Sequence, residues 1–109
     1  MLTKETGRIH WQDAASHIHN LVRGLDSWPG AYTFLSGKKF KIWRTRRTAE
    51  TTQALPGTVL LADKKKGLLV ATGDGVLEIL ELQAPGKKRM RAADYLNEHG
   101  FSLPARFED

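Results

Sequence analysis

The chain has 109 residues and no cysteine, with 17 Lys and Arg against 12 Asp and Glu, a net charge of +5. That length builds one domain with a modest core, and a hydrophobic content of 40% with mixed charges argues for a globular fold over disorder. Without cysteine there is no disulfide framework, thiolate metal centre or cysteine nucleophile; with no apolar run of membrane-spanning length, a cytoplasmic protein is expected, and the surplus positive charge points to a polyanionic partner.

Residues 1–7 read as a polar leader and residues 8–109 as the domain. Residues 8–11 alternate as a short strand would, and Asp13 suits the N-cap of the helix that follows. Ile18, Leu21, Val22 and Leu25 recur at helical spacing, while Asn20 and Arg23 share the adjoining face, three residues apart. Gly24 reads as the left-handed stop of that helix. Residues 26–30 (Asp-Ser-Trp-Pro-Gly) then form a stiff corner containing Trp28 and Pro29. His17 and His19 diverge on the helix, the wrong spacing for chelation, so no metal site is expected; His19 and Asn20 are read as making local hydrogen bonds.

After the corner comes a strand over 31–35, a Ser-Gly-Lys hairpin turn and a second strand over 39–47. In that second strand Phe40 and Ile42 share one face, Lys41 and Trp43 the other. Residues 48–56 lack apolar periodicity and read as a mobile polar loop. Apolar strands follow over 58–62 and 68–72, joined by a lysine-rich turn, Asp63-Lys64-Lys65-Lys66-Gly67. Gly73-Asp74-Gly75 makes a tight turn into a strand over 76–83. A helix over 92–99, stopped by Gly100, closes the series. Short strands with glycine turns and a helix near each end predict a mostly β fold, a small closed or partly open antiparallel barrel. Pattern alone leaves a sandwich or a curved sheet open.

The basic residues are clustered. Lys38, Lys39, Lys41, Arg44, Arg46 and Arg47 lie on one hairpin, and Lys87, Lys88 and Arg89 follow the strand at 76–83. Long cationic side chains in this density are what phosphate binding needs. Trp43 is read as a packing residue that covers the core beneath lysine stems, and Lys64–Lys66 as a solvated hairpin tip. Glu78 and Glu81, three apart on a strand, are expected on opposite faces and so cannot form an acid–base couple. No catalytic motif is present.

Residues 18–31 (Ile-His-Asn-Leu-Val-Arg-Gly-Leu-Asp-Ser-Trp-Pro-Gly-Ala), together with Gly-Lys-Lys-Arg-Met at 86–90, resemble signatures of the C-terminal domain of methionyl-tRNA formyltransferase. The likeness runs from about Lys4 to Phe107. It implies an oligonucleotide-binding-like, open Greek-key β-barrel. It implies also that a Rossmann-like catalytic domain precedes residues 1–7, which would stand where an interdomain linker ends. That missing domain would bind 10-formyltetrahydrofolate and formylate initiator methionyl-tRNA; no cofactor is expected in the present chain. The resemblance makes initiator tRNA the partner of the nine basic residues named above. It places Asn20, Arg23, Trp28 and Pro29 toward the catalytic domain and the substrate end. The alternatives are the matching domain of another folate-dependent formyltransferase or hydrolase, a free-standing RNA-binding barrel, and a protein-docking module.

Overall fold

The computed structural model describes residues 7–25, 30–101 and 103–108. Its elements are α1 (Ala15–Gly24), β1 (Ala31–Leu35), β2 (Lys38–Arg47), β3 (Val59–Asp63), β4 (Gly67–Ala71), β5 (Val76–Gln83), β6 (Met90–Arg91) and α2 (Ala92–Glu98). The fold is mostly β. All the strands pair antiparallel in one sheet of order β1-β2-β5-β4-β3, with β6 beside β5. Because β2 lies beside β5 rather than β3, strands β2, β5, β4 and β3 have the order of a Greek key traced from its C-terminal end.

One face of the sheet is apolar because the strand residues alternate. Phe40 and Ile42 of β2, Leu68 and Val70 of β4, and Leu77, Ile79 and Leu82 of β5 are all buried. Helix α1 lays Ile18 and Val22 into this core, and Leu25 just beyond its end is buried too. Trp11, fully buried, stacks on Phe107 with ring centroids 5.5 Å apart, and its Nε1–H donates to Thr33 Oγ1 at 2.9 Å.

The segment carrying Phe107 ties the two sheet edges. Glu108 N–H donates to the Phe34 carbonyl of β1 at 2.7 Å, and Val59 N–H of β3 donates to the Ala105 carbonyl at 2.9 Å. Isolated bridges pair Phe34 with Glu108 and Thr58 with Arg106. Residues 105–108 therefore stitch β1 and β3 where the strand ladder itself is open, a role with no periodic signal in the sequence.

Three local expectations are corrected. Gly24 is not a left-handed cap: it is the last helical residue of α1, and Leu25, at φ −111°, holds the cap position and donates to the Leu21 carbonyl. Asp13 does not cap α1; Ala14 occupies that position, and the Ala15 N–H is satisfied by the Asp74 carbonyl at 3.0 Å. Residues 8–11 form no strand of their own, only a bridge from Arg8 to Tyr32. The predicted corner at 26–29, with Trp28 and Pro29, lies outside the described residues. The Gly73-Asp74-Gly75 turn does lead into a strand, and it holds the start of α1 as well. Gly73 N–H donates to the Trp11 and Asp13 carbonyls, and a Cβ at Gly73 would overlap the Gln12 carbonyl.

Two outcomes follow from these positions. A Cβ at Gly24 meets nothing within 4 Å, so Gly24→Ala is expected to stabilise the protein by about 0.5–1 kcal/mol through helix propensity, read as a raised Tm. Phe107→Ala is expected to cost about 3–5 kcal/mol, since it empties a buried aromatic site; chemical denaturation measures it.

Candidate nucleic-acid interface

The outer face of β2 and β5 is shaped by a bulge. The register runs Ile42↔Leu82, then Arg44↔Glu81 and Thr45↔Ile79, so Trp43 and Leu80 are extra residues on their strands. On β2 the inward positions become Phe40, Ile42 and Thr45, all buried, which turns Trp43 and Arg44 both outward. On β5 the same irregularity puts Glu78 and Glu81 on one face, against the expectation from their spacing. They still form no acid–base pair, because arginines occupy both.

Arg46 donates through Nε to Glu78 Oε1 at 2.7 Å. Glu81 holds two arginines at once, Arg44 at 3.2 Å and Arg89 at 2.8 Å. Burial raises the Glu81 pKa, but the hydrogen bonds from Arg89 and Arg44 outweigh it, so the carboxyl is held below its ordinary range. Through this one carboxylate the two basic clusters, separate in sequence, become neighbours in space. Trp43 sits on the same face. The Arg89 guanidinium lies 4.7 Å and the Lys41 ammonium 5.8 Å from its ring centroid, and its Nε1–H donates to Gln83 at 3.1 Å. It is half-buried on the outside of the sheet rather than part of the core.

The other predicted basic residues divide. Lys39 stands over the Tyr32 ring at 4.4 Å on β1. Lys38, Lys87 and Lys88 are exposed and make no ion pair among the described residues. Arg47, past the end of the core-facing run, is near enough to α1 for its charge to act on His19.

His19 joins α1 to β2. Its Nδ1 shares a 2.8 Å hydrogen bond with the buried Thr45 hydroxyl, a contact across 26 residues rather than the local one expected from the helix. His19, Val22 and Arg23 of α1 and Trp43, Arg44 and Thr45 of β2 line an open groove of about 430 Å³. Arg23 thus faces the basic strand; Asn20 is exposed on α1 outside this groove. Burial first, then the charges of Arg23 and Arg47, lower the His19 pKa from the ordinary 6.5. The groove is therefore positive while its imidazole stays neutral. The sequence carries no signal for this link, since a helix histidine and a strand threonine have no shared motif.

The known proteins this chain is similar to are consistent in kind. Residues 1–100 match the family model described as "Formyl transferase, C-terminal domain". Methionyl-tRNA formyltransferase from Solibacter usitatus is 48% identical over 97 residues, covering 89% of this chain and 30% of that protein. The enzyme of the same name from Carboxydothermus hydrogenoformans is 48% identical over 96 residues, covering 88% of this chain and 31% of that protein. The chain thus spans under a third of the relatives it matches. Among solved structures, HypX from Aquifex aeolicus in complex with tetrahydrofolic acid superposes with a TM-score of 0.71 at 25% identity, over 89% of this chain and 17% of HypX. An A392F-I419F variant of the same protein gives 0.72 at 26%, over 90% of this chain and 18% of that one.

The lowered His19 pKa carries a sign that can be measured. The unfolded imidazole, with its ordinary 6.5, takes a proton more readily than the folded one, so this residue adds stability above pH 6.5 and loses it as pH falls through 6.5 toward the folded value. An NMR titration is expected to place His19 below 6.5 and to move it upward when salt screens Arg23 and Arg47. A value at or above 6.5 in low salt contradicts the assigned environment.

Proposed function

The chain belongs to the formyl transferase C-terminal domain family, and on that premise we propose that it is the tRNA-positioning domain of a methionyl-tRNA formyltransferase. The observation that carries this reading is the joining of the two basic clusters by β2–β5 pairing, which sets Arg44, Arg46 and Arg89 on one sheet face. Lys38, Lys39, Lys41, Arg44, Arg46, Arg47, Lys87, Lys88 and Arg89 supply the cationic surface. Such contacts position a nucleic acid without reading its bases. Trp43, flanked by cations, offers a ring on which an unpaired base can stack.

Catalysis belongs to another domain of the parent polypeptide. A Rossmann-like domain N-terminal to this one would bind 10-formyltetrahydrofolate and transfer its formyl group to the amino group of initiator methionyl-tRNA. The present domain would take part in translation initiation in the cytoplasm by holding that tRNA in register. Asn20 and Arg23 are assigned to the side facing the catalytic domain and the acceptor end; Trp28 and Pro29, expected with them, lie outside the described residues. Arg23 has the clearest support, because its groove opens beside Trp43 and Arg44. The likeness to HypX suits a related folate-dependent formyltransferase as the second reading. The 48% identity to methionyl-tRNA formyltransferases, against 25–26% to HypX, favours the first.

Lys87→Ala with Lys88→Ala tests the surface without disturbing the Arg89–Glu81 pair. The double variant is expected to bind tRNA more weakly and to lower the slope of log K against log salt by about 1.8, from ~0.9 for each phosphate no longer neutralised. Unchanged affinity and slope would remove these two lysines from the interface. In the full-length enzyme Arg23→Ala is expected to act on kcat more than on tRNA affinity, since a misplaced acceptor end costs orientation. Kinetics with initiator methionyl-tRNA as the varied substrate separate the two effects.

A further inference from the structure

The turn Lys64-Lys65-Lys66 is exposed, as a solvated tip is, and it also borders a groove. It forms one wall of an open groove of about 340 Å³ whose floor is Glu78–Glu81 of β5 and whose far wall is Arg91, Ala92 and Ala93. Arg44 stands at this groove as well as at the one beside α1. The cationic surface is therefore continuous from Arg23, past Trp43 and Arg44, to the lysine turn.

Three hydrogen bonds hold the turn. Asp63 Oδ1 accepts the Lys65 and Lys66 N–H groups at 2.7 and 3.0 Å, and these bonds hold its carboxyl below the ordinary range. Lys64 Nζ donates to Asn97 Oδ1 of α2 at 3.2 Å. Gly67, at φ +110°, leaves room for the Glu78 carboxylate, which a Cβ there would crowd. Glu78 and Glu81 on the groove floor are already held by Arg46, Arg44 and Arg89, and Arg91 is held by Asp94. Lys65 and Lys66 keep their side chains uncommitted among the described residues.

We infer that this groove is a second phosphate-binding subsite, through which the backbone of a bound RNA continues across β5 to the Lys64–Lys66 turn. The inference rests on the tRNA-positioning reading and extends it to residues that reading does not use. The chemistry favours a phosphate backbone over an acidic peptide. The free cations are lysine point charges, which suit phosphates along a track. The floor strand β5 is paired on both sides, by β2 on one and by β4 and β6 on the other, so it has no edge for a peptide to extend.

Lys65→Ala with Lys66→Ala tests this, because both N–H bonds to Asp63 and the Lys64–Asn97 contact survive the change. The probe is fluorescently labelled initiator tRNA, titrated by anisotropy at several salt concentrations beside the Lys87→Ala, Lys88→Ala protein. With two phosphates no longer neutralised, Kd is expected to rise about 60-fold near 0.1 M salt and the salt slope to fall by about 1.8. Amide resonances of Gly67 and Ala93 are expected to shift on RNA addition to the unmodified protein. Wild-type affinity and slope in the Lys65, Lys66 variant overturn the inference. If the Lys87, Lys88 variant is then weakened, the positioning role stands and only the second subsite falls. If the unmodified protein shows no salt-dependent binding, both fall together.

Discussion

The pairing of β2 with β5, bulged on both strands at the same level, is the constraint on which the outer surface depends. Without the bulge, strict alternation would send Arg44 toward the core side of β2 and part Glu78 from Glu81. With it, Arg44, Arg46, Trp43, Glu78 and Glu81 all face outward while Thr45 and Ile79 remain buried. Residues 38–47 and 87–89, well separated in sequence, are then brought to a single carboxylate, Glu81.

That arrangement divides labour between the two kinds of cation. Arg44, Arg46 and Arg89 lean on carboxylates, and exposed pairs of this sort add little to stability. Their effect is geometric, because a guanidinium held by one oxygen keeps a fixed plane and its remaining N–H groups are aimed. The lysines at 38, 87, 88, 65 and 66 remain uncommitted. Under the proposed reading, arginines set the register of a bound nucleic acid, and lysines supply most of the counterion-release affinity. His19 adds a neutral hydrogen-bonding partner where a further charge would strain the arginine-rich end of β2. Its link to Thr45 locks α1 to the same strand.

Much of the fold is legible because its signals are local. The hairpin turns at 36–37, 63–67 and 73–75 carry glycines, β2 alternates and β3 and β4 are short apolar runs, so β1 to β5 fall close to their expected bounds. Three features are hidden for physical reasons. A helix end can be closed by an ordinary residue, so Gly24 misleads where Leu25 holds the cap. A bulge adds one residue without any marker in the sequence, so Glu78 and Glu81 share a face that strict alternation denies them. Residues 105–108 form single bridges to two edges, too short for a periodicity to show. At the site, the basic residues are visible as clusters. The partners Glu81, Trp43 and His19 that organise them depend on strand order, which composition does not encode. Lys64–Lys66 reads as a solvated tip because its groove is assembled from β5 and the start of α2.

Under the proposed reading, sequence-distant basic segments act as one RNA-facing surface. Ultraviolet crosslinking of bound tRNA, followed by mass-spectrometric mapping of the modified peptides, tests it most directly. Adducts are expected on both 38–47 and 84–91 within the same complexes, with Trp43 among the modified residues. Adducts restricted to the segments 97–101 and 103–108, with both basic clusters unmodified, would contradict it.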